Sequence, residues 1–188
     1  MGPLSYSARL WRIGILAAIM IGPLCGWSQA SLAQNALEYE LKATFLYKFV
    51  GFMHWPEPSQ SAPTIRLCVI GEDPFGPLLA RAVSGQTIGG RPIEIERFAS
   101  SQADLPCHVA YLAGSKTQTV REAAALLRGD PVLVVTDDSR NRTDKGIIHF
   151  FVHQNRLRFE IDDSLAADNK LTLSSKLLSL ATTVKARP

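Results

Sequence analysis

His149, His153 and Glu160 are the first residues whose types suggest chemistry, because two imidazoles and a carboxylate can hold a divalent metal. They fall in IIHFFVH (147–153) and RLRFEID (156–162), two runs parted only by Gln154 and Asn155. A two-residue gap predicts a tight antiparallel hairpin. Along one strand of it the two histidines stand about 13 Å apart, whereas imidazole nitrogens meet a metal at about 2.1 Å. Distance excludes a shared ion. Pairing 153 with 156 puts His149 opposite Glu160 instead, as a cross-strand ion pair. His54 and His108 have no partner close in sequence, and no metal or cofactor is expected.

Carboxylates are the second chemical candidate. Asp73 follows the apolar run TIRLCVIG (64–71), and Asp137-Asp138 ends PVLVVTDD (131–138). Both lie at the carboxyl ends of expected strands, where α/β proteins tend to place ligands. Simpler duties compete: Asp73 is a good helix N-cap before Pro74, and Asp137-Asp138-Ser139 reads as a turn. GEDPFG (71–76) lacks the glycine spacing that aims backbone amides at a phosphate. Ser174-Ser175 has no neighbouring base, and G-x-S-x-G is absent. The cysteines lack the C-x-x-C spacing of a thiol oxidoreductase. These patterns point away from an enzyme.

The elements that must position these residues alternate. LEYELKATFLYKFVGFMHW (37–55) carries Leu41, Phe45, Phe49, Phe52 and Met53 at helical spacing, and Pro56 is expected to end it. Glu38, Glu40, Lys42 and Lys48 make a membrane span improbable. PEPSQSAP (56–63) is a connector, 64–71 a buried strand, and 72–83 a turn into a helix. GRPIEIERF (90–98) alternates like a half-buried strand, CHVAYLAG (107–114) is a short apolar one, and TQTVREAAALLRGD (117–130) a helix. The hairpin and one or two terminal helices follow, the last striped by Leu173, Leu177, Leu178 and Leu180. This is an α/β pattern: a single domain with a mostly parallel central sheet flanked by helices, and an antiparallel hairpin near the C-terminus. Right-handed crossovers predict the local order 2-1-3-4 for the first four strands, with the hairpin beyond.

The ends set the compartment. Arg9 and Arg12 precede IGILAAIMIGP (13–23), an apolar run too short to span a bilayer, and Ser31-Leu32-Ala33 suits cleavage before Gln34. Residues 1–33 are therefore expected to be a signal peptide and 34–188 the domain, exported to the periplasm. Two of the twenty basic residues and none of the seventeen acids precede Gln34, so the remainder carries +1 rather than +3. No basic stripe appears, which argues against nucleic acid. Cys25 leaves with the leader, and Cys68 and Cys107 remain as an even pair suited to a disulfide. The predicted order makes their strands neighbours.

EYELKATFLYKFVGFMHWP, LCVIGEDPFG, GRPIEIERF, CHVAYLAG, VLVVTDD, RLRFEID and LTLSSKLLSLA occur here in the order and spacing of a known family. Together they resemble the YfiR family of periplasmic proteins over essentially the whole mature chain. The resemblance implies a repressor that binds the periplasmic sensory domain of an inner-membrane diguanylate cyclase and lowers cyclic di-GMP signalling. It further implies an outer-membrane lipoprotein with a peptidoglycan-binding domain that sequesters the repressor, and a homodimer when free. Cys68 and Cys107 match a disulfide pair of the family. A second pair, expected near the loop and hairpin, is missing: that region offers Arg142 and His149. Glu160, Leu165, Leu173 and Leu178 match a hollow that receives the lipoprotein, with core packing the rival role for the leucines. Phe52 and Trp55 are the candidates for an exposed helix end at a dimer or partner surface. The alternative function is a small-molecule-binding protein serving a sensor kinase or outer-membrane receptor, favoured by a pocket at the strand carboxyl ends.

Overall fold

Among the described residues eight strands share one sheet, and its order follows from the chain's alternation of apolar strands and crossover segments. In the computed structural model, residues 27–140 and 142–187 are described, with side chains from Gln34 onward. The body is one unit, Ala36–Pro188, and residues up to Asn35 form a second. Most of the expected signal peptide lies outside the described residues. Helix α1 (Trp27–Val50) begins upstream of the expected cleavage point.

The strands are β1 (Met53–His54), β2 (Ile65–Gly71), β3 (Thr87–Ile88), β4 (Arg91–Phe98), β5 (Val109–Gly114), β6 (Leu133–Asp137), β7 (Ile148–His153), β8 (Arg156–Asp162), β9 (Thr172–Leu173) and β10 (Thr183–Lys185). The remaining helices are α2 (Pro77–Val83), α3 (Val120–Leu126), α4 (Asp163–Asp168) and α5 (Ser175–Leu180). The sheet runs β10-β8-β7-β6-β5-β2-β4-β3. Strands β4, β2, β5, β6 and β7 are mutually parallel, and β7-β8 is the antiparallel hairpin. The 2-1-3-4 expectation and the register of 153 with 156 both hold. Gln154 and Asn155 turn at φ 50° and 57°, as a two-residue hairpin of matching twist requires.

Both faces of the sheet are covered, which is why its central strands read as unbroken apolar runs. Ile65, Leu67, Val69, Tyr111, Val135 and Phe150 meet α1 and Leu79 of α2 on one face. Cys68, Ile70, Ala110, Leu112 and Val134 meet Val120, Ala123 and Leu127 on the other, around α3. Thr119 caps α3 reciprocally with Glu122, so that helix starts where its capping box dictates. At the carboxyl end of β2, Gly71 comes so close to β5 that a Cβ there would lie 2.2 Å from the Gly114 carbonyl oxygen. Only glycine fits.

Several local expectations fail for identifiable reasons. Helix α1 stops at Val50 rather than at Pro56, because Met53-His54 finds a strand partner in β9. Its buried stripe is shifted by one position from the expected one. Lys42, Ala43, Leu46, Phe49 and Val50 are buried, while Leu41 is 42% exposed. Helix α2 begins at Pro77, and Asp73 turns the loop before it by accepting from the amides of Phe75 and Gly76. The terminal stripe is interrupted too. Leu173 lies in β9, Ser174 is the N-cap of α5, Leu180 is exposed, and the β-branched Thr183-Val184 extends as an edge strand.

Candidate functional site

Three clusters collect the polar groups that sequence reading singled out, together with two it did not. The first is buried between α1 and the carboxyl end of β6. Lys42 and Asp137 are each 1% exposed, and the ammonium donates to Asp137 at 2.9 Å and to Glu38 at 2.5 Å. The Tyr111 phenol donates to the same Asp137 oxygen that takes Lys42. The Ser139 hydroxyl and the Arg140 amide donate to the other, at 2.6 and 2.9 Å. Tyr39 extends the network to Ser139 at 2.8 Å.

Burial works to lower the Lys42 pKa, but the charges of Asp137 and Glu38 and their hydrogen bonds outweigh it and hold it above the ordinary value. Burial alone would raise Asp137, yet the Lys42 charge and the bonds from Ser139, Tyr111 and Lys42 keep it depressed. Burial, then the neighbouring carboxylate, push the Tyr111 phenol well above its usual range. Asp137 is therefore no ordinary turn residue. Its four donors leave it fixed as a clamp between helix and sheet. Lys42 and Tyr111 were missed, although the helical phase of Leu46, Phe49 and Val50 runs back through position 42. A lysine on an apolar stripe demands a buried acid.

The second cluster lies on the hairpin and the segment leading into it. His149 does sit opposite Glu160 in the ladder, but the expected ion pair between them does not form. The buried imidazole instead meets Asp138 through Nε2 and the Thr136 hydroxyl through Nδ1, each at 2.8 Å. Thr136 accepts in turn from the Gly146 amide at 2.8 Å. Both ends of the crossover from β6 to β7 are thus tied to His149, in the region where the family resemblance implies a second cysteine pair. Glu160 pairs with Lys145. Together with Asp162 and Lys185, these residues line a recess of about 170 Å³. Among the described residues, no three His, Cys, Asp or Glu side chains gather as a metal site would require.

The third cluster is at the amino ends of β2, β5 and β6. Cys68 and Cys107 are disulfide-bonded with Cα atoms 5.9 Å apart, one strand spacing plus the usual offset. Beside them a hollow of about 570 Å³ is lined by Arg66, Asp104, His108, Asp130 and the connector around Ser59. His108 accepts the Arg66 amide at Nδ1, so Nε2–H donates to the Ser59 carbonyl at 3.1 Å. Burial, with the charges of Arg91 and Arg66, lowers its pKa and keeps the ring neutral. This hollow sits at the opposite end of the strands from the one expected for a ligand.

The remaining expected partner residues scatter. Phe52 and Leu173 do come together, beside Lys176, in a shallow hollow of about 340 Å³. Leu165 and Leu178 are half-buried against the main core. Trp55, expected at an exposed helix end, is 1% exposed and packs edge-on against His108. Ending α1 at Val50 turns Trp55 inward. Asp73 is also engaged, with Arg97 at 2.7 Å.

A single-domain α/β protein, stapled by the Cys68–Cys107 disulfide and with Asp73 and Asp137 committed to structural contacts, is the class these features define. Residues 39–182 match the signature of the YfiR/HmsC-like family, and the chain belongs to that family. No curated protein matches it. Membership supports a periplasmic regulator of diguanylate cyclase signalling and implies interaction with a cyclase's periplasmic sensory domain. No described helix is long and apolar enough to cross a membrane.

Proposed function

We propose that the chain is a periplasmic repressor, not an enzyme, which binds the sensory domain of an inner-membrane diguanylate cyclase and holds the cyclase inactive. An outer-membrane lipoprotein with a peptidoglycan-binding domain competes for it, and the free chain is a homodimer. Repression is then a population shift between two complexes, set by their relative affinities. The observation that carries this reading is the family match across nearly the whole body. The commitment of Asp73 and Asp137 to structural contacts supports a binding role over catalysis.

Glu160, Leu165, Leu173, Leu178 and Phe52 are the proposed contact residues, with Trp55 behind them as support. The test is a pull-down of residues 34–188 on the periplasmic domain of a diguanylate cyclase from the same host. Binding is expected, and Leu165→Asp should weaken it about tenfold or more, the size of an interface anchor lost. Because Leu165 is half-buried, Glu160→Lys serves as a second variant at a partly exposed position. A folded chain that does not bind the domain contradicts the proposal.

A second reading, a small-molecule-binding protein serving a sensor kinase or outer-membrane receptor, would use the hollow beside Cys107 and His108, although that hollow lies at the amino ends of the strands and not at the carboxyl ends expected for a ligand. Thermal stabilisation by amino acids or vitamins, lost in Arg66→Ala, would support it.

A further inference from the structure

The hairpin outruns its sheet. The β6-β7 ladder ends at Asp137 opposite Phe150, and the β8-β10 ladder begins only at Glu160. The last bonds on the two flanks are Asp138 N–H to the Phe150 carbonyl and Thr182 N–H to the Phe159 carbonyl, each 2.9 Å. Residues 151–158 therefore form a two-stranded ribbon projecting past its neighbours with both outer edges open. Backbone groups repeat with period two. Those of Val152 thus face outward on one edge and those of Leu157 on the other.

One face of this ribbon has a single sign of charge. Phe151 stands opposite Arg158, and His153 opposite Arg156. His153, Arg156 and Arg158 are exposed, and no acidic side chain pairs with either arginine among the described residues. Further along the hairpin Glu160 is held by Lys145 and Asp138 by His149. On the other face Val152 is 46% exposed.

We infer that the projecting ribbon, residues 151–158, is a docking surface for an acidic, extended segment of a partner protein, which adds as a strand to an open edge and sets its carboxylates against His153, Arg156 and Arg158. Open backbone edges select a polypeptide, and the unopposed arginines select its charge. A second copy of the chain is disfavoured at the β8 edge, where pairing two ribbons would oppose arginine to arginine, and offers no carboxylate to the arginines at the β7 edge, where it would oppose Phe151 to His153. This surface adjoins Glu160 along β8 but shares no residue with the Glu160–Leu165 region. It rests on the reading that the chain works by binding another protein, but on no particular cyclase.

The experiment uses the oxidised chain with amide-resolved NMR and two synthetic peptides, one alternating glutamate with valine and one alternating lysine with valine. Shifts confined to residues 151–158 are expected with the glutamate peptide and none with the lysine peptide. Arg156→Glu with Arg158→Glu should weaken binding about tenfold or more, as reversing two charge contacts does. Both positions are exposed, and an unchanged spectrum elsewhere shows that the variant is folded. Undiminished binding by the variant, shifts centred elsewhere, or no binding overturns the inference. So does binding only to vesicles of phosphatidylethanolamine with phosphatidylglycerol, which would make the ribbon a lipid contact. The same variant in the cyclase pull-down separates the two proposals. Wild-type binding matched by the variant removes the ribbon from that complex, whereas wild-type failure counts against the repressor reading alone.

Discussion

Lys42→Ala lowers the unfolding free energy by about 3–5 kcal/mol, the cost of leaving one charge of a buried pair uncompensated. Lys42 and Asp137 are 1% exposed, and removing the ammonium leaves a buried carboxylate whose charge burial penalises without its countercharge. Replacing both charges costs less. Lys42→Met with Asp137→Asn keeps an acceptor for Tyr111 and should recover much of the loss, which urea titrations of the three proteins would read.

The same clamp fixes the pH dependence. The folded pKa of Asp137 is depressed, so its contribution is present above about pH 4, the ordinary carboxylate value, and fades as pH falls through the folded value. That of Lys42 is raised, so its contribution is present below about pH 10.4 and fades as pH rises through the folded value. Tyr111, also raised, adds to the alkaline limb. Stability curves of the Met/Asn variant should be flatter at both ends than the wild type's.

Removal of the disulfide is the second large effect. Cys68 and Cys107 are 39 residues apart, and opening that loop costs about 4 kcal/mol by chain entropy. For a domain of this size the loss corresponds to a fall of about 10 °C in the melting midpoint. Cys68→Ser with Cys107→Ser should show it in a thermal scan, and a reductant should shift the wild type towards the variant while leaving the variant unmoved. Both sulfurs lie in the core on the α3 face, so the variant also places two hydroxyls among Ile70, Ala110 and Leu112. A midpoint unchanged by either treatment would show that packing alone holds that face.

The sheet was legible because its signals are long and redundant. Five apolar residues in each of β2 and β5 and the Leu133-Val134-Val135 run of β6, separated by capped or proline-started helices, leave few right-handed arrangements. The Gln154-Asn155 gap fixed the hairpin register to the residue. The illegible parts are short or depend on distant partners. Two-residue strands such as β1 and β9 carry no periodicity, so the true end of α1 and the inward turn of Trp55 could not be read. The Lys42–Asp137 clamp joins residues 95 apart in sequence, and nothing local marks one as the other's partner. His149 is instructive in the same way. Its cross-strand neighbour was read correctly, but the crossover brought Asp138 and Thr136 closer than Glu160.

Repression requires that binding silence the cyclase. The decisive measurement is cyclic di-GMP synthesis by the full-length cyclase in membranes permeable to GTP, titrated with residues 34–188 on the periplasmic side. A saturable fall in turnover, weakened by Leu165→Asp, is the predicted result. Turnover that stays constant, or rises, while the chain is bound would contradict repression.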